Sequence, residues 1–172
     1  MPITPFHVGP GLLIKALAPR FVSLTAFAAT QVVIDSETLY HLARNQWPVH
    51  TVMHTLLGGT AAGLGSGLAV AAAGPALRRL ASPRVSAMAA SQRPNVRSEF
   101  TLGGAIAGGL IGGASHSLLD SMMHSDVRPF WPFADGTLLG IIGAGGLHIG
   151  CLVAGVVGLG ALLVGNNRRL AV

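Results

Sequence analysis

Histidines and carboxylates spaced four residues apart are where this chain could do chemistry. His116, Asp120 and His124 recur at that interval within HSLLDSMMHSDVRPFWP, residues 116–132. On a helix such residues are surface neighbours, with Cβ atoms roughly 5–6 Å apart, so the three would project from one face at metal-ligand spacing. His50 and His54 repeat the interval in NQWPVHTVMHT. Asp35 and Glu37 lie two apart at the expected end of a helix, and His41 follows Glu37 by four. After the first of these clusters, Asp126, Arg128, Pro129 and Pro132 end the helix and hold Phe130 and Trp131 in a turn-like aromatic segment.

The elements that must position these groups are oily. Of the 172 residues 51% are apolar and only 10% charged, against about a quarter charged in ordinary soluble domains. Residues 52–73 and 138–164 hold no Asp, Glu, Lys or Arg and one histidine each, His54 and His148, and each exceeds the ~20 residues that cross a bilayer core. Residues 100–123 form a third candidate span. The expected architecture is all-α: one integral membrane domain over residues 1–172, a bundle of four to five helices. Spanning helices are expected over 51–73, 100–123 and 138–164, with a helical hairpin over residues 1–34 built from two runs each too short to cross alone. The start, with three prolines and no basic segment, does not read as a cleavable signal peptide. Cys151 is the single cysteine and excludes an internal disulfide.

Glycines four apart, Gly59/Gly63/Gly67, Gly104/Gly108/Gly112 and Gly146/Gly150/Gly158 with Ala154 between, predict close backbone packing among the three spans. Residues 74–98 carry five arginines and three prolines and read as a basic loop. The pI of about 11.1 does not point to nucleic acid, because the basic residues are not interleaved with aromatics. They report topology instead. If helices alternate, the loop, the C-terminal tail and the Lys15/Arg20 turn share one side and carry nine of the eleven Lys and Arg residues. The positive-inside rule makes that side cytoplasmic. Asp35, Glu37, His50, His54, His116, Asp120 and Asp126 then converge at the extracytoplasmic end, where carboxylates persist mainly when paired, metal-bound or lining a polar cavity.

These motifs together resemble the membrane-bound metal-dependent hydrolase family, the YdjM-like group, which is similar to zinc-dependent phospholipase C and the S1/P1 nucleases. The resemblance rests on His7 after a Pro/Thr leader, the pair Asp35-x-Glu37, the segment from His50 to Thr55, and His116-SLL-Asp120 followed by Asp126 and PFWP. It covers most of the chain outside 74–98. It departs from the family in Glu37, where many members have Asp, and in the lack of an arginine within HTVMHT. The resemblance implies a bacterial plasma-membrane protein with His7, Asp35, His54, His116 and Asp120 as metal ligands, joined by Glu37 and His50.

Imidazole and carboxylate ligands suit one or two zinc ions, or another divalent transition metal. An open position would lower the pKa of bound water toward ~7. Asp126 or Glu37 could act as general base or orient a ligand histidine, and Arg128 could pair with a phosphate. The expected function is hydrolysis of a phosphoester, with membrane lipid as partner and a lipid head group as candidate substrate. The alternative is a non-catalytic subunit of a larger membrane complex or homo-oligomer that keeps the scaffold. A metal transporter fits less well, since its ligands belong at mid-membrane. Plainer readings apply elsewhere. Trp47, Phe130 and Trp131 read as an aromatic belt, His41 and His124 as surface groups that bind backbone or lipid head groups and not metal, and His148 as a packed core or interhelical hydrogen-bonding residue.

Overall fold

The computed structural model describes residues 5–86 and 99–168, which form five α-helices and no strand. A 3-10 turn, Pro5–His7, leads into α1, Val8–Leu17, and α2 runs Leu24–Ala43. A second 3-10 turn, Val52–His54, precedes α3, Leu56–Ser86; α4 spans Leu102–Met123 and α5 Ala144–Arg168. Three helical stretches are long and apolar enough to cross a membrane: Leu56–Ala76, Leu102–Met123 and Ala144–Gly165.

Local chemistry sets the helix starts. The Ser23 hydroxyl accepts from the Ala26 amide at α2 and the Thr101 hydroxyl from the Gly104 amide at α4, each satisfying a backbone donor that the first turn leaves free. At α3 the Thr55 hydroxyl serves the Gly58 amide.

Several boundaries differ from expectation. α2 does not stop at Ile34 but continues to Ala43, so Asp35 and Glu37 stand on the body of a helix. α3 continues through Pro75 and Pro83 to Ser86, where a loop is expected; proline removes one helical hydrogen bond but the run of helix formers around Leu77–Ala81 carries on. The rest of that loop, residues 87–98, lies outside the described residues. α5 starts six residues later than expected. Residues 138–143 are not helical, and Gly140 adopts φ +83°, a conformation glycine takes readily.

α4 is the most buried of the spans and packs on α2 and α3. The expected glycine ladders meet here. A Cβ on Gly63 would fall closer than 3.0 Å to the Gly109 carbonyl, one on Gly109 as close to that of Gly63, and Gly59 faces Gly113 in the same way. Gly108 meets the Ser23 backbone and Gly112 that of Phe27, seating α2 on the same helix. The third ladder is different. α5 packs chiefly on α1 and touches α4 little. Its contact glycines are Gly155 and Gly158, against Gly9, Leu12 and Leu13, while Gly150 meets nothing within 4 Å. The three spans therefore do not form one tight bundle among the described residues. α3 and α4 are a pair, and α5 lies chiefly against α1 instead.

At the end of α4 that begins with Thr101, Lys15 donates to the Val22 carbonyl at 2.8 Å and pairs with Glu99. Glu99 also accepts from the Thr25 amide at 2.9 Å and from the Thr25 and Ser23 hydroxyls. One carboxylate thus ties α1, α2 and α4 together. Burial pushes the Glu99 carboxyl up, but hydrogen bonds from Lys15 and Thr25 and the charge of Lys15 outweigh it and hold it below its ordinary value.

Two measurements check this packing. Gly63→Val or Gly109→Val should lower unfolding stability in detergent by about 2 kcal/mol or more through overpacking; Gly65→Ala, with nothing within 4 Å of its new methyl, should stay within about 0.5 kcal/mol of wild type. Because the folded Glu99 pKa is depressed, its stabilisation is present above the ordinary value of 4.5 and is lost as pH falls through the folded value. Glu99→Gln should cost roughly 1–3 kcal/mol at pH 7 and flatten part of the acid limb of a stability profile.

Candidate metal centre

At the other end of α4 the chain gathers its histidines. Asp35 on α2, His54 on the second 3-10 turn, and His116 and Asp120 on α4 each offer a ligand atom, and these atoms lie within 4.8 Å of one another. All four residues are buried; His54 and His116 have no exposed surface. His116 Nε2 is 3.2 Å from Asp120 Oδ2 and 3.5 Å from Asp35 Oδ1, and His54 Nε2 is 3.5 Å from Asp120 Oδ2. His50, Asp120 and His124 form a second such group, sharing Asp120. These buried groups could hold a metal ion.

The protonation pattern is dictated by partners on the far side of each ring. The Gln31 amide donates through Nε2 to the Gly112 carbonyl at 3.1 Å, which fixes its orientation, so its oxygen must accept from His116 Nδ1–H at 2.7 Å. His54 Nδ1–H donates to Glu37 at 3.1 Å, because an ionised carboxylate can only accept. His50 Nδ1–H donates to Asp126 at 2.9 Å. A neutral ring held in this way has its lone pair on Nε2. Such partners fix the tautomer and orientation of ligand histidines in metal sites.

Each anchor is itself anchored. Glu37 accepts from the Thr51 amide and from the Met53 amide, the latter at 3.0 Å. Burial pushes its carboxyl up, yet hydrogen bonds from His54, Thr51 and Met53 outweigh this and hold it at about 2. Asp126 accepts from the Val49 and His50 amides; burial raises it and the His50 contact more than compensates.

His7 completes the cluster from the N-terminal turn. It is 1% exposed, its ring packs edge-on against His116 at 4.8 Å, and its Nε2 is 3.4 Å from Asp120 Oδ1. Desolvation lowers its pKa to about 4 despite the pull of Asp120; burial lowers His54 and His124 as well. Neutral imidazoles are the form that ligates metal. Both nitrogens of His7, His116 Nε2 and Asp120 Oδ1 are buried with no hydrogen-bond partner. Leaving one such group unmet ordinarily costs ~1–3 kcal/mol; His116 Nε2, Asp120 Oδ1 and one of the two His7 nitrogens, the other carrying the ring proton, offer lone pairs that suit a bound cation.

The structure thus brings together Asp35, His54, His116 and Asp120, sets His7 against them, and places His50 in the adjoining group. Glu37 stands behind His54 and Asp126 behind His50, with their oxygens occupied by ring and backbone donors. Arg128 lies further out and donates to the Asp135 carbonyl at 3.0 Å. His124, read above as a surface group, stacks on His50 with ring centroids 4.5 Å apart; its four-residue spacing from Asp120 was the signal for it. Gln31 and Thr38, whose hydroxyl lies 3.3 Å from His54 Nε2, carried no signal, being ordinary polar residues on a helix. His41 meets Gln46 and Thr51, and His148 bonds to the Ala144 carbonyl of its own helix instead of a neighbouring one.

Beside His50 opens a cavity of about 480 Å³ whose walls include Trp47, Val52, Asp126, Arg128 and Trp131. Comparison with family models, curated proteins and solved structures finds no match for this chain.

Gln31→Leu should reduce the affinity for a divalent metal ion 10–100-fold while leaving the four candidate ligand residues in place, measured by competition with a chelator of known affinity.

Proposed function

We propose that this chain is a membrane-embedded metal-dependent hydrolase of phosphoesters, with Asp35, His54, His116 and Asp120 as its principal ligands, His7 beside them, and His50 and His124 available for a second ion through Asp120. The observation that carries this reading is the orientation of His54 and His116, each held at Nδ1, by Glu37 and Gln31, with its Nε2 within 3.5 Å of the Asp120 carboxylate. Mixed nitrogen and oxygen donors favour zinc. The resemblance to membrane-bound metal-dependent hydrolases points the same way. The positive-inside reading, which would set the cluster on the extracytoplasmic side, opposite nine of the eleven Lys and Arg residues, supports it as well.

Bound zinc would supply a Lewis acid that polarises a phosphoryl oxygen and acidifies water. The protein's own residues do the rest. Gln31, Glu37 and Asp126 are positioning residues that hold the Nδ1 protons and so fix ring orientation. Burial keeps His7 and His54 neutral at physiological pH. Arg128, at the rim, offers guanidinium donors beyond the one used by Asp135, in a geometry matched to phosphate oxygens.

The test is elemental analysis of detergent-purified protein prepared without chelators, alongside hydrolysis of soluble and lipid phosphoesters. Wild type should carry stoichiometric zinc or another transition metal and hydrolyse a phosphoester. His116→Ala and Asp120→Ala should lose the metal and the turnover together. A well-folded wild type without metal would sink the hydrolase reading in favour of a structural subunit.

A further inference from the structure

The cavity beside His50 divides chemically. Its apolar walls come from Trp47, Pro48, Val52 and Trp131, and its polar side from His50, Asp126 and Arg128 among others. Trp47 and Trp131 belong to connections that precede α3 and follow α4, at the ends of two membrane-crossing stretches. Val52 in the wall and Leu57 on the first turn of α3 are both more than half exposed. Exposed apolar surface thus lies both on the cavity wall and on the adjoining first turn of a helix long and apolar enough to span a membrane. The volume is that of an ordinary small-molecule site, where apolar walls hold the body of a ligand and a few polar groups orient it.

We propose that this cavity is a binding site for one lipid bearing a phosphate head group, its chain lying between Trp47 and Trp131 and its phosphate against Arg128 on the His50 side. This rests on reading the neighbouring cluster as a phosphoester site and names the substrate class. Asp126 does not oppose an anion there on equal terms, because its oxygens are engaged by His50 and two backbone amides, whereas Arg128 makes one bond to a carbonyl. A zwitterionic head group would bring a cation toward Arg128 and is disfavoured. A simple aromatic belt would place the two rings at the interface without a shared cavity and without a cation between them.

Trp47 and Trp131 are the two tryptophans of the chain, so fluorescence excited selectively at tryptophan, leaving out Tyr40, reports on residues that line this cavity. The detergent-purified protein is titrated with phosphatidic acid brominated near the head end of one acyl chain, and separately with phosphatidylcholine brominated at the same position. Expected is saturable quenching by phosphatidic acid at a concentration at least about tenfold lower. Arg128→Gln should abolish that difference, and Trp47→Phe and Trp131→Phe should each leave the remaining tryptophan quenched. Equal quenching by both lipids would overturn the proposal and leave a belt in annular lipid. Selective quenching without hydrolysis would support the lipid site while sinking the hydrolase reading. Hydrolysis of glycerol phosphate with unselective quenching would do the reverse.

Discussion

Everything at the functional end of this protein is arranged around the Asp120 carboxylate. It is 3% exposed at the last turns of α4, and His7, His54 and His116 approach it from three separate segments of the chain. A carboxylate taken out of water must be met by donors or by a cation. Meeting it here requires α2, α3 and the N-terminal turn to come within side-chain reach of one point on α4. The glycine contacts between α3 and α4, and those of Gly108 and Gly112 with α2, are what permit that approach. Larger residues would hold the backbones apart and with them the imidazoles.

The opposite end of the bundle answers the same constraint with different chemistry. There the partly buried ion pair of Lys15 and Glu99 is satisfied by a carbonyl, an amide and hydroxyls from Val22, Ser23 and Thr25 at the start of α2, so both partners have ordinary donors and acceptors. At the histidine end the accounting stays open: Asp120 Oδ1, His116 Nε2 and both His7 nitrogens lack hydrogen-bond partners. Buried polar atoms are nearly always satisfied. The contrast within one molecule separates a structural polar network from one shaped for something else.

Much of this was legible beforehand because membrane helices advertise themselves by composition and ligands by spacing. The stretches carrying the α3 and α4 spans, the ladder from Gly59 to Gly67, and the four-residue intervals of His50/His54 and His116/Asp120 all follow from period and hydropathy. What was not legible depends on tertiary neighbours. Gln31 is a lone amide in an apolar run, and only its contact with His116 gives it a part. His124 shares the right interval but follows the helix end, where spacing no longer predicts direction. The glycines of α5 show the same limit, since Gly146 and Gly150 match the pattern as well as Gly158 does, yet α1 meets the helix further along. Asp35 and Glu37, two apart on a helix, are turned toward different tasks, one into the cluster and one behind His54.

Charge arithmetic bears on what the open cluster is for. Asp35 and Asp120 share one buried group, and two ionised carboxylates so close repel each other unless positive charge intervenes. Protonating the histidines would supply that charge, but burial opposes it at His7 and His54, and five rings in mutual contact could not all charge without repelling one another. Holding Nδ1–H on Gln31, Glu37 and Asp126 fixes the tautomer, so that in a neutral ring the remaining nitrogen is an acceptor. A cluster of acceptors around two carboxylates leaves few kinds of guest. A divalent cation would satisfy the lone pairs and balance the charge at once, and these buried groups could hold one.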